Sequence, residues 1–142
     1  MQTFLPYPSF AQSARCLDNK RLGKQRVECL QILRALNDPT YGWQNHPAVK
    51  MWRGHSFSLV NYALEICAEW QRRGFNDTCR VRIVDFLMRI DNGVNPSWLG
   101  DESFHASHRS NLLRKDPAHY GRFGWSEPND LPYVWPTDLL LS

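Results

Sequence analysis

The sequence predicts an all-α fold: a single compact helical domain with an extended N-terminal segment and an irregular aromatic C-terminal tail. Its 142 residues suit one hydrophobic core. Hydrophobic residues make up 42% of the chain and charged residues 22%, as in folded proteins rather than disordered ones. Apolar residues recur at helical spacing in several segments, and no segment alternates like a half-buried strand. We therefore assign residues 1–142 to one domain.

The first predicted helix follows an extended start. Pro6 and Pro8 restrict φ and lack a backbone donor, which favours extended chain over the first ten residues. Ser9 or Ser13 is suited to cap a helix that runs to about Leu36. The Asn-Asp-Pro sequence that follows predicts its end. Apolar residues recur along this helix every three to five positions, at Leu22, Val27, Leu30, Leu33 and Leu36.

Two helices are predicted in the middle of the chain. Residues 41–46 have the composition of a loop, and Pro47 suits the first turn of a short helix. A longer helix is expected to begin near His55 and to end at Gly74, after two arginines that suit a last turn. One face of this longer helix carries Phe57, Val60, Leu64, Cys67 and Trp70.

Two more helices complete the prediction. Asn76 or Asp77 caps a helix that ends before Asn92, and its buried face is expected to carry Val81, Val84, Leu87 and Met88. A shorter helix is expected from Ser103 to Arg114, where an Asp-Pro pair stops it. The rest of the chain is rich in proline, glycine and aromatic residues, which predicts an irregular tail that wraps the helices.

The sequence favours a cytoplasmic monomer without a membrane segment. No apolar run approaches the roughly 18–20 residues that cross a bilayer, and the first residues lack the pattern of a secretion signal. Gln2 is too large for ordinary methionine removal, so Met1 is expected to carry the free α-amine. The cysteines form no C-x-x-C pair and are expected to be reduced core thiols: Cys16, Cys29, Cys67 and Cys79.

Positive charge is concentrated in one segment. The net charge is +3, but residues 15–34 hold six cationic and two acidic side chains. A local basic segment on a nearly neutral body is the charge distribution expected of a protein that binds a polyanion. Aromatic residues make up 13% of the chain and could either fill the core or stack on nucleic-acid bases.

The basic segment contains the chemistry-bearing residues. Lys20, Lys24 and Glu28 are four residues apart and would share one helical face, with Arg21 beside them. A lysine crowded by other cations becomes a better nucleophile, because its neutral form is favoured. A nearby carboxylate can stabilise positive charge on a sugar or move protons around an imine. The alternative is a solvated face with a weak pair between Lys24 and Glu28.

Two other groups bear on function. Residues 45–55 combine side chains that suit one wall of a nucleic-acid cleft, namely His46, Lys50, Trp52, Arg53 and His55. In the tail, Arg122 lies among aromatic residues that either pack or stack on bases. His105 and His108 could share a helical face and bind metal, although no carboxylate or thiol partner lies nearby in sequence.

Several motifs together resemble one family. LPYPSF, ARCLDNKRLGKQRVE, GWQNHPAVKMWRGH, EWQRRGFND and HYGRFGW occur in the order of the pyrimidine-dimer DNA glycosylases, the phage-type ultraviolet endonucleases, and cover most of the chain. The resemblance implies a small all-α fold whose N-terminal segment is threaded between helices toward the active site. It also implies binding of damaged duplex DNA, base extrusion, glycosidic cleavage and then β-elimination, without metal or cofactor.

The resemblance carries over to the catalytic residues only in part. The family's nucleophile is the α-amine of a threonine exposed by methionine removal, so here the role passes to Met1, Lys20 or Lys24. The family's glutamate has no match in place, because Leu22 or Gly23 occupies its position. Glu28 is the expected substitute and Asp18 the alternative. The residues expected to contact DNA are Arg15, Arg21, Arg26, His46, Lys50, Trp52, Arg53 and Arg122.

These observations predict a DNA repair glycosylase with abasic-site lyase activity. Its expected substrates are damaged or modified pyrimidines in duplex DNA, such as cyclobutane pyrimidine dimers, and its expected intermediate is a Schiff base. One alternative is a non-catalytic DNA-binding module that uses the same basic face. The other is a metal-dependent nuclease that uses His46, His55, His105 or His108.

Overall fold

The computed structural model describes residues 1–89 and 93–136, except for the side chains of residues 88 and 89. The described residues contain no β-strand, and the all-α prediction is confirmed. No described helix is long and apolar enough to cross a membrane. The α-helices are α1 Phe10–Cys16, α2 Asn19–Asn37, α3 Pro47–Lys50, α4 Ser56–Arg72, α5 Arg80–Val84, α6 Glu102–Lys115 and α7 Pro117–Tyr120, with 3₁₀ turns at Asp85–Arg89 and Gly121–Phe123.

The predicted first helix is two helices. Ser9 caps α1 by accepting a hydrogen bond from the backbone of Gln12 at 3.1 Å. Asp18 then caps α2, because its carboxylate accepts from the backbone N–H of Arg21 at 3.3 Å while its own backbone is extended. A capping side chain thus interrupts a continuous apolar pattern. Val27, expected in the core, is exposed.

Helices α2 and α4 pack closely at Gly23. A Cβ atom placed on Gly23 would lie 2.9 Å from the indole of Trp70 on α4. The glycine therefore lets the indole lie against the backbone of α2, although glycine lowers helix propensity by about 1 kcal/mol. The core beneath is apolar and includes all four cysteines as buried free thiols. Burial raises the pKa of Cys16 and of Cys67 to about 12.

The predicted third helix is much shorter in the structure. Asp77 accepts from the backbone N–H groups of Cys79 and Arg80, but α5 continues for only five residues before a 3₁₀ turn. Ile83 is the buried residue of α5, whereas Val81 is exposed and Val84 and Leu87 are partly buried. The prediction of one α-helix with a buried face that continues through Leu87 is therefore wrong. The predicted contribution of Met88 and the helix end at residues 91–92 lie outside the described residues.

The N-terminal segment is extended and is bound to the core through its backbone. The buried side chain of Gln25 accepts from the N–H of Phe4 at 2.6 Å and donates to the carbonyl of Gln2 at 2.6 Å. The hydroxyl of Tyr62 donates to the carbonyl of Phe4, also at 2.6 Å. A buried polar side chain with these partners fixes the path of residues 2–4 along α2.

Two histidines of α6 hold the next residue. His105 donates from Nδ1 to the carbonyl of Leu5 at 2.7 Å, and His108 accepts from the N–H of Leu5 at Nδ1 at 2.9 Å. Burial lowers the pKa of His108 to about 3, so its ring is neutral near pH 7. These contacts give the two histidines a role in holding the chain.

The tail begins with a short helix and then packs as predicted. Tyr120 at the end of α7 is buried and donates to the carboxylate of Asp18 at 2.5 Å. The ring of Trp125 stacks on Tyr120 and Phe123 at centroid distances of 5.7 and 5.3 Å. The tail therefore covers the junction of α1 and α2. Residues 137–142, also predicted as tail, lie outside the described residues.

Candidate active site

A cleft of about 330 Å³ lies where the start of the chain meets α2, the end of α6 and the tail. Its walls come from four segments that are far apart in sequence, and they combine cationic, aromatic and carboxylate groups. The lining residues are Met1, Gln2, Phe4, Lys20, Arg21, Lys24, Gln25, Glu28, Lys115 and Tyr133.

Glu28 is the carboxylate of this cleft. Its Oε2 accepts a hydrogen bond from the backbone N–H of Gln2 at 2.9 Å, and its Oε1 lies 3.6 Å from Nζ of Lys24. The Glu28 side chain is 12% exposed, so it is open to the cleft but largely shielded from bulk water. Because Gln2 follows Met1 directly, this bond holds the first peptide group against the carboxylate, and Met1 lines the same cleft.

The amines proposed from sequence all line the cleft. Met1, Lys20 and Lys24 are joined there by Lys115, from the last turn of α6. Burial lowers the pKa of Lys115, and the positive charges of Arg21, Arg114 and Lys24 lower it further. The sequence did not indicate Lys115, because a lysine in the last turn of a helix is already explained by its favourable interaction with the helix dipole.

Asp18, the alternative carboxylate, has a structural role instead. It does not line the cleft, and its oxygens accept from Tyr120 and from the backbone and guanidinium of Arg21. Burial alone would raise the pKa of Asp18, but the hydrogen bonds from Tyr120 and Arg21 outweigh it and lower the pKa. The same ion pair holds Arg21 at the edge of the cleft.

Of the residues expected to contact DNA, Trp52 is in the interior and Arg26 is largely covered by an ion pair. Trp52 is fully buried, stacks on Tyr62 at 6.2 Å and donates from its indole to the hydroxyl of Thr3 at 3.0 Å. Arg26 is bound to Asp77 at 2.6 Å, with its guanidinium 4.5 Å from the ring of Trp70. Both side chains are committed to packing, and neither belongs to the candidate DNA surface in this structure.

His46 lies beside the cleft. Its Nδ1 accepts from the N–H of Ala48 at 3.0 Å and caps α3. The pKa of His46 is lowered, mainly by burial and also by the positive charge of the chain terminus. The negative charge of Glu28 partly offsets this lowering. The charges of the terminal amine and of Glu28 therefore both act on this ring. Lys50 and Arg53, from the same predicted wall, are exposed.

The remaining candidates lie away from the cleft lining. Arg15 and Arg122 are exposed, and Arg122 donates to the carbonyl of His119 at 3.1 Å. Among the described residues, no three His, Cys, Asp or Glu side chains are grouped as a metal site. The Nδ1 atom of His55 lies 3.0 Å from the carbonyl of Val94.

The fold and the cleft together define a class of protein. A small helical protein that places amines and a carboxylate in a cation-lined cleft is suited to act on a polyanion through amine chemistry. The family model of the pyrimidine dimer DNA glycosylases matches residues 1–83, more than half of the chain. The chain belongs to this family, and the resemblance seen in its sequence motifs is confirmed.

The other comparisons add no relative. Neither the curated proteins nor the solved structures contain a significant match. The family match includes Met1, Glu28 and the lysines of α2, but ends before Lys115 and Tyr133. The part of the cleft formed by Lys115 and Tyr133 therefore lies outside the segment that the family model matches.

Proposed function

We propose that the protein is a DNA glycosylase with abasic-site lyase activity that removes damaged or modified pyrimidines, such as cyclobutane pyrimidine dimers, from duplex DNA. The observation that carries this proposal is the bond between Glu28 and the N–H of Gln2, which holds the chain terminus beside a shielded carboxylate. Membership of the glycosylase family supplies the reaction class.

The α-amine of Met1 is our proposed nucleophile. It belongs to a segment whose backbone is hydrogen-bonded at residues 2, 4 and 5, whereas the Lys24 side chain is 73% exposed on a flexible stem. A fixed nucleophile loses less entropy on reaching the transition state.

The proposed reaction begins with a bond between the amine nitrogen and C1′ of the deoxyribose. The glycosidic bond breaks as this bond forms, and the base leaves with the electron pair and is protonated. The amine nitrogen then loses a proton, O4′ gains one, and ring opening gives the Schiff base. Glu28 is suited to move this proton, because it is a shielded carboxylate that binds the N–H of Gln2 and shares the cleft with Met1.

The lyase step removes a proton from C2′, and the C3′–O bond then breaks with the phosphate as leaving group. Water hydrolyses the imine and returns the free amine. Lys20, Arg21 and Lys115 are the cations suited to hold phosphates around the reacting sugar, since all three line the cleft. We assign Lys50 and Arg53 to the outer DNA surface, together with Arg15 and Arg122.

Borohydride trapping tests this proposal. An abasic-site duplex is mixed with the protein and reduced, and the modified peptide is identified after digestion. We expect an adduct on the peptide that contains Met1, and we expect trapping to persist in the Lys20→Arg and Lys24→Arg variants, which keep the charge. Complete absence of an adduct on abasic and dimer-containing duplexes would rule out the Schiff-base mechanism.

Binding and cleavage assays separate the two alternatives. A non-catalytic module would bind duplex DNA equally well after Glu28→Gln and would never cleave a strand. A metal-dependent nuclease would lose its activity in excess EDTA, whereas the proposed enzyme would keep it.

A further inference from the structure

Trp43 stands out from the other aromatic residues of the described chain. Its φ of 72° makes it the one described non-glycine residue with a positive φ, and its side chain is 52% exposed. A bulky residue in the left-handed region is disfavoured by its own backbone, and an exposed indole gains little from burial. Folding alone therefore gives no reason for tryptophan at this position.

The loop that carries Trp43 is held firmly. The side-chain nitrogen of Gln44 lies 2.8 Å from the carbonyl oxygen of Ala35, 2.9 Å from that of Asp38 and 3.0 Å from that of Tyr41. The guanidinium of Arg53 donates to the carbonyl of Gln44 at 3.3 Å. These bonds tie the loop to the end of α2 and to the turn after α3, so the indole is presented in a defined position.

A row of rings connects Trp43 to the cleft. Its ring lies 5.8 Å from that of His46, which lies 6.1 Å from that of Trp135. Trp135 lies 5.8 Å from Tyr133, which lines the cleft. The terminal amine and Glu28 both act electrostatically on His46, the ring adjacent to Trp43. Trp43 is therefore the exposed end of an aromatic row that begins beside the candidate nucleophile.

We propose that Trp43 is a wedge residue that enters the base stack of the DNA and occupies the space left when a nucleotide is extruded at the lesion. This inference rests on the proposed function. Extrusion leaves an unstacked gap, and an aromatic ring that fills it recovers stacking energy with any neighbouring base. Lys50 and Arg53 are exposed cations near this loop and are suited to hold the flanking phosphates.

Replacement of Trp43 by glycine and by phenylalanine tests the wedge. Glycine adopts a positive φ without strain, so Trp43→Gly relieves the backbone but removes the ring contact with His46, and the Tm measures the net effect on stability. On dimer-containing duplex we expect single-turnover cleavage by Trp43→Gly to fall about 10- to 100-fold, the range given by the loss of one base–aromatic stack. Trp43→Phe should keep most of the rate.

The substrate provides the internal control. On a single-stranded abasic oligonucleotide no base has to leave a duplex, so Trp43→Gly should form the borohydride adduct at the wild-type rate. Phe75→Ala, which removes another partly exposed ring, should cleave both substrates at the wild-type rate. A 2-aminopurine base beside the lesion should stay quenched by the stacked indole on binding of wild type and should brighten on binding of Trp43→Gly, where the gap is unfilled.

The outcomes separate the two proposals. Equal duplex rates and equal 2-aminopurine signals for wild type and Trp43→Gly would overturn the wedge and leave the glycosylase mechanism intact. Equal losses on duplex and single strand would also overturn it, because a wedge acts only on extrusion. Neither an adduct nor cleavage with wild type on any substrate would overturn the proposed function, and with it the extrusion on which the wedge depends.

Discussion

Glu28 and Glu69 are glutamates on the two long helices, and both lie beside cations, but their surroundings differ. Glu69 is buried, and its two oxygens accept from Arg72 at 2.8 and 2.5 Å and from Arg73 at 2.8 Å. Glu28 accepts one backbone hydrogen bond at 2.9 Å and has Lys24 at 3.6 Å. The first carboxylate is fully neutralised by its partners, whereas the second keeps capacity to act on groups that enter the cleft.

The difference shows how the same residue type serves two purposes. Burial alone would raise the pKa of Glu69, but the hydrogen bonds from Arg72 and Arg73 outweigh it and lower the pKa. Arg73 also donates to Asn19 at 2.9 Å and to the carbonyl of Arg15 at 3.0 Å, which ties α4 to the junction of α1 and α2. Glu69 therefore anchors the helix crossing that supports the cleft, and Glu28 faces into it.

The strongest test of the comparison is Glu28→Gln. We expect the single-turnover rate to fall about 10²- to 10⁴-fold, the usual contribution of a general acid–base group, while the Tm changes little. Quantitative cleavage of a dimer-containing duplex measures the first effect, and thermal unfolding the second. Glu65→Gln on α4 is the matched control, because Glu65 is exposed and does not line the cleft. A Glu28→Gln enzyme with full activity would contradict the assignment.

Glu69→Gln should give the opposite result. Leaving Arg73 without its buried partner should lower the free energy of unfolding by about 3 kcal/mol, measured by urea denaturation at pH 7. Because folding lowers the pKa of Glu69, its contribution is present above the pKa of an unfolded glutamate and is lost as the pH falls. The difference in free energy of unfolding between Glu69→Gln and wild type should therefore become smaller at acidic pH. The rate of the folded variant should be unchanged; a large rate loss would show that the two glutamates are not separable.

The pH dependence of stability sharpens the comparison, because the segment that brings Met1 to Glu28 is held by a neutral histidine. Folding lowers the pKa of His108 to about 3, so below about pH 6.5 the unfolded chain binds a proton that the folded chain does not. Stability should fall as the pH drops from 6.5 toward 3, by up to about 1.4 kcal/mol per pH unit. Urea denaturation between pH 7 and 5 should show that the free energy of unfolding falls less steeply with decreasing pH in His108→Gln than in wild type. An equal pH dependence in the two proteins would contradict the prediction.

The smallest expected effect concerns the cations around Glu28. Lys115→Ala should reduce the slope of log K against log salt for duplex binding by about one, because one phosphate contact is lost. Fluorescence anisotropy between 50 and 200 mM salt measures it. Arg80→Ala, on α5 and outside the cleft lining, should leave the slope unchanged. Equal salt dependence of binding for Lys115→Ala and wild type would show that Lys115 contacts no phosphate of the bound DNA.

Some features depended only on local sequence. Pro47 and His46 start α3, Asp77 caps the turn before α5, and the spacing of Lys20 and Glu28 puts them on one wall of the cleft. Each of these follows from backbone geometry within one or two turns of helix.

Tertiary structure decided the rest. Nothing local distinguishes Arg26, paired with the distant Asp77, from Lys20, which faces the cleft, and nothing local predicts that Trp52 is core. Lys115 joins the site only because α6 packs beside the start of the chain. The bond from Gln2 to Glu28 spans 26 residues and requires the extended segment to be held first. Charge patterns show which groups are available, but burial and long-range partners determine which of them are neutralised and which remain for chemistry.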